Sequence, residues 1–261
     1  MGTNYQAVSR RGLVVSDLHL FARRSIGFDH IASLSNDLHG LDVLVLNGDI
    51  FDFKWSVLGN GTTTLTSSLE WLRKLTADYP QCAVHFVLGN HDCTPAFKAG
   101  LAELAASEPR FHWHEFVLRL GTKLFFHGDC VHRRMNHDGL IRYRDGWQEN
   151  RQPSSLRTSA YRCIDKLRIT HFVHERQFPR RKTLERASFY LDDAQPGWRN
   201  TTSDCFFGHT HLPFSDCEHE GVVYHNTGSA IDAMEFNPVF FKLDAENENG
   251  ALAASLIEIA K

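Results

Sequence analysis

The chain has no apolar run approaching the roughly 18 residues that a membrane span requires. Val43-Leu44-Val45-Leu46 is among its longest. It also has no C-x-x-C pair, its six cysteines standing at 82, 93, 130, 163, 205 and 217. A chain of 261 residues can bury a core without disulfides, so these thiols are expected to be reduced. Ser9-Arg10-Arg11-Gly12-Leu13 resembles a twin-arginine signal, but the apolar stretch behind it ends at Val15. Met1-Gly2 lacks the Ser or Thr that myristoylation needs at position 6, where Gln6 stands. These absences predict a cytoplasmic protein. Charge of one sign is not in excess either: 28 Lys and Arg meet 31 Asp and Glu, a net of −3. With 42% hydrophobic and 23% charged residues, a disordered chain is excluded. No linker or repeat divides the sequence, so residues 1–261 are expected to form a single domain.

What the chain does have is histidine, 16 in all. Histidine is the commonest metal ligand and titrates near neutral pH, so the composition points to metal or acid–base chemistry. The first half alternates short apolar runs at 13–15, 43–46 and 84–88 with helical periodicity over 28–39, 67–79 and 96–106. That alternation predicts a sheet with helices packed on it. Residues 116–120 and 123–126 flank Gly121-Thr122, a two-residue hairpin signal. Further strands are expected at 205–207, 222–224, 239–243 and 252–259.

Between 131 and 199 the chain turns basic, with 15 Lys and Arg against 8 Asp and Glu. Leu156, Ala160, Cys163, Ile164 and Leu167 fall at helical spacing there. Two readings stand for this segment: an Arg-coated solvated face, or a helical lid whose arginines meet an anionic substrate.

Five polar clusters follow predicted strands: Asp17-Leu18-His19, Gly48-Asp49, Gly89-Asn90-His91-Asp92, His127-Gly128-Asp129 and Gly208-His209-Thr210-His211. Singly each is weak. Together they hold four carboxylates, one amide oxygen and five imidazoles, a donor set that suits Mn²⁺, Fe, Zn²⁺ or Mg²⁺. In this order the clusters resemble the calcineurin-like metallophosphoesterases, from Asp17 to His211, and Asn226-Thr227-Gly228-Ser229 resembles a further loop of that family.

The resemblance implies an α/β fold, a two-sheet β-sandwich flanked by helices (α/β/β/α), here with a basic helical insertion at about 131–200. It implies two divalent metal ions, with Mn²⁺ first among the candidates. Asp17, His19 and His211 would hold one ion, and Asn90, His127 and His209 the other, with Asp49 bridging both. His91 would face the substrate, oriented by Asp92. Two such metals neutralise an anionic ester, lower the pKa of a shared water and clamp the attacking and leaving oxygens in line.

The substrate is open at this level. One reading is a nucleotide-sugar-lipid pyrophosphatase similar to the UDP-diacylglucosamine hydrolases, which commonly carry Arg where this chain has His91. A second is a general phosphodiesterase or phosphatase for a small soluble substrate. A DNA nuclease ranks lower, given the net charge and the absence of aromatic–basic interleaving, so nucleic acid is not an expected partner. A non-catalytic scaffold ranks last, because no ligand position is lost. Arg144, Arg157, His132 and His225 are the candidate substrate-side residues. Phe178-Pro179 and Phe189-Tyr190-Leu191 either pack the insertion onto the main body or reach an anionic membrane, and packing is the preferred reading. Oligomeric state is not legible.

Overall fold

The computed structural model describes residues 9–148 and 170–244. Strands β1 (Arg10–Val15), β2 (Val43–Asn47), β3 (Ala83–Val87) and β4 (Phe111–His114) run parallel in one sheet. A last strand, β10 (Val239–Leu243), closes its edge antiparallel to β1. The second sheet is ordered β5-β6-β7-β9-β8. Its members are β5 (Val117–Leu120), β6 (Lys123–Phe126), β7 (Asp204–Phe207), β8 (Phe214–His219) and β9 (Val222–Asn226). In it β6, β7 and β9 are parallel, while β5 and β8 pair antiparallel at the edges.

Two-residue alternation along the strands builds three apolar layers. Leu13, Val15, Leu44, Leu46, Val84 and Phe86 point outward beneath α3 (Gly61–Asp78) and α4 (Pro95–Ser107), against Leu72, Leu75, Phe97 and Leu101. Val14, Val43, Val45 and Val87 point the other way and meet Leu118, Phe125 and Phe206 between the sheets. On the far face, Leu124, Phe126, Cys205, Phe207 and Tyr224 pack on Leu184, Ala187, Tyr190 and Leu191 of α7 (Arg180–Ala194). The expected sandwich with outer helices is therefore the observed architecture. Asn47 joins its two halves: its amide donates to the carbonyls of Phe126 (3.0 Å) and Phe206 (3.1 Å) in the opposite sheet.

The insertion contributes α5 (His137–Gln148), α6 (Thr170–Gln177) and α7. Phe178, Tyr190 and Leu191 are buried in it, so these three pack inward. The helix expected over 156–167, the strand expected over 252–259 and Arg157 lie outside the described residues. Among the described residues no helix is long and apolar enough to cross a membrane.

Local differences from the sequence reading have local causes. The helix expected over 28–39 is two, α1 (Gly27–Ser33) and α2 (Ser35–Leu38), because the Leu34 N–H is shared between the carbonyls of His30 and Ile31 and tightens the turn. Helix α3 starts at Gly61, capped by Asn60, whose side chain accepts from the Thr63 N–H at 2.8 Å. The β-branched run Thr62-Thr63-Thr64 hides that start from a periodicity reading. Strand β8, an edge strand with a register shift between Phe214 and Cys217, has too irregular a pattern to be read ahead.

Candidate dinuclear metal centre

Every parallel strand of both sheets ends at the same rim, and the five polar clusters begin where the strands stop. The turns are sharp. Asp17, His19, Asp49, His209 and His211 all adopt left-handed backbone, with φ between 46° and 62°. Each such non-glycine residue costs on the order of 1–2 kcal/mol, a cost tolerated where the side chain has a task. Glycine appears where two backbones must touch. At Gly48, φ is 85° and an added Cβ would stand 2.5 Å from the His127 ring.

Three donor groups result, one of them formed by His19, Asp52 and His91. Asp17, His19 and His211 bring one ligand atom each to a common centre, as do Asp49, His127 and His209. In the first, Asp17 Oδ1 lies 3.2 Å from His211 Nε2, and His19 Nε2 lies 3.3 Å from the same nitrogen. The other Asp17 oxygen is already engaged by the Ser16 hydroxyl and by the His209 N–H at 2.9 Å. In the second, His127 directs Nδ1–H toward the Asn47 carbonyl at 3.3 Å, which leaves Nε2 3.2 Å from Asp49 Oδ2. A histidine held by a carbonyl at one nitrogen and open at the other is the usual arrangement of a metal ligand.

The fit to metal can be tested on the polar atoms. Buried polar atoms normally have partners. Here Asp17 Oδ1, Asn90 Oδ1, His127 Nε2 and His209 Nε2 are buried without a hydrogen bond. All four belong to expected ligands, and two divalent cations would satisfy them at once. The protonation pattern agrees. Burial alone would keep Asp49 neutral, but the facing His127 and His91 hold its carboxyl well below the usual range. Burial disfavours charge on His127 too, yet Asp49 outweighs it and raises the imidazole to about 10. His209, with burial dominant and His127 beside it, is held neutral.

His91 sits beside these groups. Its backbone N–H donates to Asp49 Oδ1 at 2.7 Å, and its Nδ1 stands 3.1 Å from Asp52 Oδ2. The same Asp52 oxygen is 3.3 Å from His19 Nδ1. Burial opposes the His91 charge, but Asp52 and Asp49 prevail and lift its pKa to about 9. Asp52 was not singled out in the sequence; its signal was its place three residues after Asp49. The orienting role expected of Asp92 is corrected. Its carboxylate accepts from the backbone N–H groups of Gly89 (2.7 Å) and Ile50 (2.9 Å) and so ties the Asn90 loop to the Asp49 loop.

The candidate substrate residues separate. Arg144 is 3% exposed and is spent within the fold. It donates to both oxygens of Asp129 at 2.7 and 3.1 Å, to the Leu88 carbonyl at 2.8 Å and to the Glu115 carbonyl. His225 faces away from the centre. Asn226 is turned toward Gly208, so its strand neighbour points into the layer between the sheets, stacked on Phe206 at 4.7 Å, with Nε2 3.3 Å from Asp204. His132 does reach the rim, 5.9 Å from the His209 ring and stacked on Tyr143. Beside His91, a groove is lined by Phe53, Lys54, Asn90, Thr94 and Trp147. In it the Lys54 ammonium lies 4.2 Å from the centre of the Trp147 ring.

No curated protein matches the chain. The family model of the calcineurin-like phosphoesterases matches residues 11–238, which spans all five clusters and every strand up to β9. The chain therefore belongs to the calcineurin-like phosphoesterases and is a metal-dependent phosphoric ester hydrolase.

Proposed function

We propose that the protein hydrolyses a phosphodiester or pyrophosphate bond of a small substrate, with Asp17, His19 and His211 holding one divalent ion, Asn90, His127 and His209 a second, and Asp49 shared between them. Mn²⁺ suits this hard-to-borderline oxygen and nitrogen set. Bound there, the ions supply Lewis acidity and neutralise the charge of the phosphoryl group.

The chain's own residues supply the rest. The observation that carries the reading is His91, set beside the groove with its Nδ1 3.1 Å from Asp52. Held by that carboxylate, the imidazole can give a proton to a departing alkoxide, help worth about 10²–10⁴-fold. Asp52 fixes which edge of the ring faces outward. A diester or pyrophosphate has a second substituent, and the groove beside His91 offers it Phe53, Trp147 and the Lys54 ammonium.

A second reading, a nucleotide-sugar-lipid substrate, is favoured by Phe172 and Val173. These stand 64% and 41% exposed on α6. Binding to anionic vesicles that falls with salt would support it, and no binding at low salt would remove it. The main reading is tested with Mn²⁺-loaded protein on bis-p-nitrophenyl phosphate and p-nitrophenyl phosphate. The diester is expected to turn over faster, and a ratio well below one would overturn the diester assignment.

A further inference from the structure

One side chain of the insertion bonds directly to the backbone of the His209–His211 loop. His174, on α6, donates its Nδ1–H to the Thr210 carbonyl at 2.8 Å. Its ring also stacks on that of His211, with centroids 5.1 Å apart and planes within 18°. Thr210 is the residue between His209 and His211, and both neighbours hold left-handed backbone. The remaining polar groups of Thr210 are held by the main body. Its N–H donates to the Gly208 carbonyl, and its hydroxyl oxygen accepts from the Asn226 amide at 3.1 Å.

One turn further on, the Phe178 N–H bonds back to the His174 carbonyl, and the Phe178 ring meets the His209 ring edge-on at 5.8 Å. Two rings spaced four residues apart on one helical face are thus matched to two ligands spaced two apart on a strained loop.

We propose that His174 is a positioning residue for the metal centre, through which the insertion sets the geometry of the His209–His211 loop and the affinity of the Asp17, His19 and His211 site. This rests on the assignment of that site as a metal site. Outer partners of metal-ligating histidines are typically worth 10–100-fold in affinity. His174 acts one bond further out, on the carbonyl between two ligands and on the face of one of them.

The test is calorimetric titration of the metal-stripped full chain with Mn²⁺, alongside the melting temperature of the metal-free protein. His174→Ala is expected to weaken one of two binding events about tenfold or more and to leave the other within about threefold. His174→Asn carries an amide donor close to the place of Nδ1 and is expected to recover most of the loss. Wild-type affinity in His174→Ala would overturn the proposal. So would an equal loss in the Ala and Asn variants together with an equal fall in the metal-free melting temperature, the mark of a packing residue. A wild-type chain that takes up no Mn²⁺ would instead refute the site assignment, which separates the two failures.

Discussion

Replacing Arg144 by Met tests whether this side chain serves the fold or the substrate. Met keeps most of the apolar stem and removes the guanidinium. Asp129, 1% exposed, would then keep its place without its cation. Removing one partner of a buried ion pair costs about 3–5 kcal/mol. The Leu88 and Glu115 carbonyls also lose their donor, at about 1–3 kcal/mol for each that stays buried. The terms overlap, so a total of about 4–6 kcal/mol is expected, which for a chain of this size is a fall in melting temperature of roughly 8–20 °C. Arg144→Lys retains a charge but cannot reproduce the fork, and it should fall between. Arg144→Met with Asp129→Leu should recover much of the loss, because a pair replaced together leaves no orphaned charge. The assay is urea unfolding followed by circular dichroism in chelator, with kcat/KM measured in Mn²⁺ on the same preparations. A loss under about 1 kcal/mol would refute the reasoning, as would unchanged stability with a collapse of kcat/KM, since either would return Arg144 to the substrate.

Further outcomes are expected. His91→Asn should keep both Mn²⁺ ions by elemental analysis and lose about 10²–10⁴-fold in kcat, whereas Asp49→Ala should lose metal as well as rate; a fully active His91→Asn would remove its role. Mn²⁺ uptake at pH 8 should release protons, because His127, raised to about 10 by burial-opposed contact with Asp49, must give up its proton to bind; calorimetry in two buffers of different ionisation enthalpy would read this, and identical heats would contradict it. The sign for the metal-free protein is the reverse of the usual acid sensitivity. An imidazole raised in the folded state stabilises fully below its unfolded value near 6.5, and that contribution is lost as pH climbs through about 10. Gly48→Ala should weaken metal binding and lower the melting temperature together, since φ of 85° and the His127 ring both oppose a Cβ; a silent substitution would mean that the turn is looser than described.

The sandwich and the polar clusters at its strand ends were legible because they depend on short-range rules. Apolar runs such as Val43–Asn47 end at Gly-Asp or Gly-Asn steps, and donor types recur at each stop. What could not be read depends on direction. His225 sits in the right strand but one residue out of phase with Asn226, so it faces the other layer. Arg144 and Asp129 are 15 residues apart and carry nothing that marks them as a buried pair. Asp92 adjoins His91, yet adjacent residues leave a turn in different directions, and Asp52 from another strand end takes the place beside the imidazole. His174 lies in a basic helix with no pattern of its own, and only the packing of α6 against the Gly208 loop brings it to the centre.

Asp17, His19, Asp49 and Asn90 extend from one sheet, and His127, His209 and His211 from the other. On the proposed ligand set, each ion would be a rivet through the sandwich. Without the rivets, the sheets are joined by the apolar layer, by the Asn47 amide and by rim hydrogen bonds such as that of the His209 N–H to Asp17. To peel one sheet from the other, a loaded molecule must first release its metals. The ions then act on the rate of unfolding and on resistance to proteases as well as on hydrolysis. A chelator should thus shorten the lifetime of the native state in denaturant, even where the final equilibrium structure of the sheets is the same.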